Sequence, residues 1–231
     1  MMFSLVVAVS SAWWTERSFL FSLFPNPENI QGEVLEKNER SVNMNSMSTT
    51  RDARERLLAT ASDIFYREGI HGVGVDKVLA EAGVTRATMY RHFEGKEALV
   101  VAYLDREDAT IRGYFEAASD PSLTPRELLE AVLQGIADDI ARRHTRGCPF
   151  INAAAEYPDP RSAARKVVAR HRAWFRDTLR SLAADAGLAD PEQAAASLVL
   201  LRDAALVGGY LDGSDRVREA FLVTASEVIA A

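Results

Sequence analysis

The chain has 231 residues, 48% hydrophobic and 26% charged, an ordinary balance for a globular protein with a sizeable core. A formal net charge of −6 excludes a surface coated in basic charge, and the single cysteine, Cys148, excludes an internal disulfide and suits a reducing interior. That thiol and four scattered histidines leave no cluster spaced for a metal site, so neither a metal nor another cofactor is expected.

Residues 3–9 and 19–24 are apolar, and residues 25–48 read as a polar linker with Pro25, Pro27 and Gly32. Neither run reaches the roughly 20 residues of a membrane-spanning helix. No positive charge precedes the first run, unlike a secretory signal. Two readings of residues 1–47 stay open: a functional extension, or sequence upstream of a natural start at Met44 or Met47. Both predict little structure there. No membrane partner is expected, and the cytoplasm is the expected location.

From residue 51 the pattern is helix after helix. Leu57, Leu58, Ala61, Ile64 and Phe65 share one face, and Gly69, Gly72 and Gly74 end that run. Val75, Val78, Leu79 and Ala82 form a shorter face, interrupted at Gly83-Val84, and Thr85 is a good N-cap for the next helix. A longer helix follows Gly95, with Val100, Leu104, Ile111, Tyr114 and Phe115 inward. Thr124-Pro125-Arg126-Glu127 is a capping box with proline at the first helical position, and Asp190-Pro191 repeats that start signal. Between them, residues 163–182 carry Val167, Val168, His171, Trp174, Phe175 and Leu179 at helical spacing. Ser214 is expected to cap a final helix. No stretch alternates with period two, so the fold class is all-α.

Two short helices joined by a tight turn at Gly83 make a helix-turn-helix over residues 75–93. Val78, Leu79, Val84 and Met89 would lock the pair, leaving the second helix, Thr85–His92, to face a partner. Its side chains suit DNA. Arg86 can bind guanine bidentately, Thr85 and Thr88 can touch bases or phosphates, and Arg91 is exposed beside them. Tyr90, His92 and Lys96 are natural phosphate anchors, Lys96 at a helix start where amides face an anion. Residues 48–96 hold eight Lys/Arg against seven Asp/Glu, about +1, so the rest of the chain carries about −7. That asymmetry permits DNA binding without demanding it.

The run Gly83-Val84-Thr85-Arg86-Ala87-Thr88-Met89-Tyr90-Arg91-His92-Phe93, with Lys96-Glu97-Ala98-Leu99 after it, resembles the signature of the tetracycline-repressor (TetR) family. The likeness spans about fifty residues and includes the preceding helix, with Phe65 and Gly69. One departure is Gly74, where members often carry a threonine that caps the helix and touches a phosphate. The resemblance implies a three-helix DNA-binding domain over 48–95 and a larger helical domain over 96–231 that dimerises and holds a small-molecule effector. Its last helices would pair across a twofold axis, setting the recognition helices on a palindromic operator. Such a protein is a transcriptional regulator, a ligand-responsive repressor on this reading, with double-stranded operator DNA as its partner.

Within the larger domain, residues 147–157 resemble a segment of one subset of these regulators. Phe115, Cys148, Phe150, Asn152, Tyr157, His171, Trp174 and Phe175 are candidate effector contacts. His171 lies on an apolar face, as either a hydrogen-bonded core histidine or the polar anchor of a pocket. Cys148 is either a small buried hydrophobe or, with Arg142, Arg143 and Arg146 near it in sequence, a redox-sensing thiol. No nucleophile elbow, P-loop, dinucleotide-binding glycine pattern or metal motif appears, so no enzymatic activity is expected. The remaining alternative is a helical protein–protein interaction module that does not read DNA.

Overall fold

The computed structural model describes residues 45–230, with side chains from Asp52 onward. The expectation of little structure over 1–47 therefore falls almost wholly outside the described residues. Among them, every regular element is an α-helix: α1 Asn45–Glu68, α2 Val75–Ala82, α3 Arg86–Tyr90, α4 Lys96–Ala118, α5 Pro125–Arg142, α6 Pro149–Glu156, α7 Ala163–Asp185, α8 Pro191–Asp212 and α9 Ser214–Ala230.

Helix starts follow the local chemistry. At α5, Thr124 Oγ1 accepts from the Glu127 amide at 3.3 Å and Glu127 Oε2 accepts from the Thr124 amide at 2.8 Å, the reciprocal box expected there. At α8, Asp190 accepts from the Gln193 amide at 3.0 Å ahead of Pro191. Three boundaries differ from expectation. α1 begins at Asn45, since no glycine or proline between 45 and 68 stops the helix propagating back from its packed face. α3 is shorter than residues 85–92, ending at Tyr90, with residues 91–92 in a turn. Ser214 is the first residue of α9 rather than its cap, with only Gly213 between α8 and α9.

One continuous core runs through the described chain. It includes Leu57, Ile64 and Met89 near its N-terminal end, Leu99 and Leu104 on α4, and Leu129, Leu179, Leu198 and Ile229 further along. The long α4 belongs to both ends of that core. Its first turns pack on α1, where the Phe65 and Tyr103 rings lie 6.1 Å apart, and its later turns pack on α5 and α7. Helices α1–α3 thus form a small head, and α5–α9 a larger body, with α4 rooted in each.

Candidate nucleic-acid interface

The head is built around the turn between α2 and α3. Gly83 adopts φ 62°, the left-handed conformation that glycine enters without a Cβ penalty. The Val84 amide then reaches back to the Leu79 carbonyl at 3.1 Å, closing α2. One residue later Thr85 caps α3, its hydroxyl accepting from the Thr88 amide at 3.2 Å. Val78, Leu79 and Met89 are buried beneath the turn, which fixes the angle between the two helices.

What this leaves outward is the face expected from the sequence. Thr85, Arg86, Ala87, Tyr90 and Arg91 are exposed, and Thr88, His92 and Lys96 are half-buried. Thr85 and Thr88 hydroxyls meet at 2.9 Å, and Arg91 donates to Thr88 at 3.1 Å, so three polar side chains form a chain along that face. Arg91 and Lys96 make no ion pair with any described residue. Lys96 rests over the Phe65 ring, and burial lowers its pKa, with Glu156 working against that.

Arg86 is different. Its guanidinium pairs with Asp76 in the first turn of α2, which raises its pKa through the carboxylate charge, with the Tyr90 hydroxyl adding to it. The sequence reading did not place Asp76 in the interface. The signal available was a lone carboxylate at the start of the supporting helix, on the side where the recognition helix crosses. Gly74 does cap α2 with an extended backbone, and offers no side-chain hydrogen bond.

The candidate effector residues scatter. Phe115 and Trp174 line a cavity of about 220 Å³ between α4, α5 and α7, together with Arg112, Leu128, Thr178 and Leu182. Their rings meet edge-on with centroids 5.3 Å apart, and Arg112 stacks on Trp174 at 4.1 Å. Phe175 lies behind them, buried, edge-on to Phe115 at 5.8 Å. Phe150, His171 and Cys148 are fully buried and off the cavity wall. His171 is a hydrogen-bonded core histidine: Nδ1 bonds Asp108 at 2.8 Å and the ring stacks on Phe150 at 3.7 Å. Burial, against the pull of Asp108, holds its pKa down at about 4, so the ring is neutral.

Cys148 sits 3.2 Å from Nη1 of Arg202, itself buried. The cationic neighbour comes from α8, not from the arginines adjacent in sequence. Asn152 is spent on the Arg146 carbonyl at 3.1 Å, and Tyr157 packs 4.9 Å from the His71 ring, so both stand beside the head rather than the cavity. Sequence reasoning missed Asp108 and Arg202. Each occupies an inward phase of an apolar helix face, between Leu104 and Ile111 and between Leu198 and Ala205, which was the signal for a buried charge.

A family model described as "Bacterial regulatory proteins, tetR family" matches residues 57–103, and one described as "Tetracyclin repressor-like, C-terminal domain" matches residues 125–224. A TetR-family transcriptional regulator from Streptomyces coelicolor, known from its crystal structure, is 47% identical. It superposes with a TM-score of 0.75, over 78% of this chain and 95% of that one. The transcriptional activator FasR of Mycolicibacterium smegmatis is 29% identical over 118 residues, 51% of this chain and 53% of FasR. The transcriptional repressor NemR of Escherichia coli is 39% identical over 61 residues, 26% of this chain and 31% of NemR. The chain spans about half the length, or less, of these curated relatives.

Proposed function

The chain belongs to the TetR family of bacterial regulatory proteins, and from that membership we propose that it is a homodimeric repressor that binds a palindromic operator and releases it when a small molecule enters the body. The observation that carries the DNA reading is the outward face of α3 and its flanks: Thr85, Arg86, Thr88, Tyr90, Arg91, His92 and Lys96 around a rigid, capped turn. Arg86 would exchange its pair with Asp76 for guanine, while Arg91, Tyr90, His92 and Lys96 hold the phosphates. The proposed division puts residues 48–95 on DNA and residues 96–231 on effector and partner subunit, in the cytoplasm where operator DNA is reached.

The twofold partner is supported by a stripe on the last two helices. Leu200, Ala204, Val207 and Leu211 of α8 recur at i, i+4, i+7 and i+11 and are all exposed, with Val223 of α9 exposed alongside. α8 is the helix among the described residues long and apolar enough to cross a membrane. A second copy laid on this stripe accounts for that apolar face without a bilayer. Two recognition helices related by the twofold would then sit about one DNA turn apart, roughly 34–36 Å.

The effector site on this reading is the cavity beside Phe115 and Trp174, lined by Leu128, Val132 and Leu182 together with the polar Arg112, Glu116, Ser119 and Thr178. A ligand displaces the operator only through tighter binding to dimers whose heads are wrongly placed. The test is selection of DNA from a random library by the purified chain, followed by titration across a salt series. Selective binding that weakens steeply with salt and is lost in Arg86→Ala supports the reading. Equal affinity of Arg86→Ala and the unaltered chain for the selected sequence would defeat it.

A further inference from the structure

The head is tied to the body at a second place besides α4. At the last turn of α1, Tyr66 Oη donates to the Gly147 carbonyl at 2.9 Å and accepts from the Arg146 amide at 2.8 Å. Arg146 Nη1 donates in turn to the Tyr66 carbonyl at 2.8 Å. Three residues on, the chain leaves α1 through Gly69 at φ 88°, and the two amides that follow meet one carboxylate. Glu156, the last residue of α6, accepts from Ile70 N at 2.8 Å and from His71 N at 2.5 Å. The carboxylate lies against the turn itself: a Cβ at position 69 would stand 3.5 Å from it. Two charge-assisted bonds to adjacent backbone amides, one of them on buried Ile70, make a stiff contact.

The contact joins two rigid parts. On the body side, α6 is pinned by Phe150, fully buried and stacked on His171 of α7. The loop before it follows His144, which is held between Asp139 at 2.6 Å and Glu107 at 3.5 Å and lies edge-on to the Tyr66 ring. On the head side, residues 70–74 lead directly into α2, which carries the turn and α3. An attachment through α4 alone leaves the head free to rock as that helix bends. A second attachment, from α6 to the end of α1 beside the first turn of α4, restrains that motion.

We infer that Glu156 and Tyr66 are positioning residues for operator binding: they hold each head at the angle that gives a dimer its recognition-helix spacing, without touching DNA. This rests on the DNA-binding dimer proposed above. A single half-site needs only an intact head, whereas a palindrome needs two heads at a fixed distance. Loss of the latch therefore separates the two affinities, and a merely structural role for the same bonds does not.

The experiment uses the full chain, its selected palindrome, one isolated half-site at low salt, and palindromes with the half-sites moved by one and two base pairs. Glu156→Ala and Tyr66→Phe are expected to weaken the full palindrome roughly 5- to 100-fold while half-site affinity stays within about twofold. The preference among spacings flattens in the same variants. Glu156→Gln, which keeps one acceptor oxygen, falls between. Parallel loss on palindrome and half-site would overturn the assignment, since the head itself would then be damaged, and so would unchanged binding to both. Failure of the unaltered chain to select any sequence would overturn the DNA reading and this inference with it, an outcome distinct from either of those.

Discussion

Leu211→Arg puts the proposed dimer to a quantitative test. In the single chain Leu200 is 70% exposed, Leu211 68%, Val223 58% and Val207 41%, so the side chains lose little by substitution unless something covers them. Full burial of such a residue is worth about 1.5–3 kcal/mol, so covering the exposed share contributes about 1 kcal/mol or more at each position. Every position counts twice across a twofold axis, giving on the order of 10 kcal/mol before an association cost of about 4–15 kcal/mol. The margin is thin. Leu211→Arg removes two of these contributions and places two guanidinium groups in an apolar seam, each costing several kcal/mol. Association should weaken by roughly a thousandfold or more, about 4 kcal/mol. Sedimentation at micromolar concentration should show a monomer with unchanged helical circular dichroism, which binds the palindrome no more tightly than it binds an isolated half-site. A variant that remains dimeric at those concentrations would refute the assignment of this face.

Two further outcomes follow from buried groups. Burial opposes the charge on His144, but Asp139 and Glu107 outweigh it and hold its pKa up at about 9, whereas burial holds His171 down at about 4. The His144 contribution is complete below about pH 6.5 and fades as pH rises through 9; the His171 contribution is complete above about 6.5 and fades as pH falls through 4. Denaturant unfolding should therefore give a stability maximum near pH 6.5, with His144→Gln flattening the alkaline limb and His171→Gln the acid limb; equal slopes in variant and unaltered chain would refute the assignment. Cys148 is fully buried behind Arg202, so a thiol reagent should label the native chain only at the rate of its opening, and peroxide should leave DNA affinity unchanged. Labelling as fast as in the denatured chain would revive a redox role for that thiol.

Most of the fold was written locally. The capping pairs Thr124–Glu127 and Asp190–Gln193, the Gly83 turn and the Thr85 cap each act within a few residues, so the sequence alone placed those helix starts and the outward face of α3. Periodicity likewise placed His171 on an inward face. It could not show α6, whose eight residues are too few and too uniformly apolar for a helical period to register. Nor could it choose partners for polar groups brought together from distant parts of the chain. His171 finds Asp108 across 63 residues, Cys148 finds Arg202 across 54, and Glu156 finds the Ile70 amide across 86. A buried polar group must be paired, and which group pairs it depends on which helices pack together. Caps and faces belong to the sequence; the latch, the cavity and the buried ion pairs exist only once distant helices meet and exclude water.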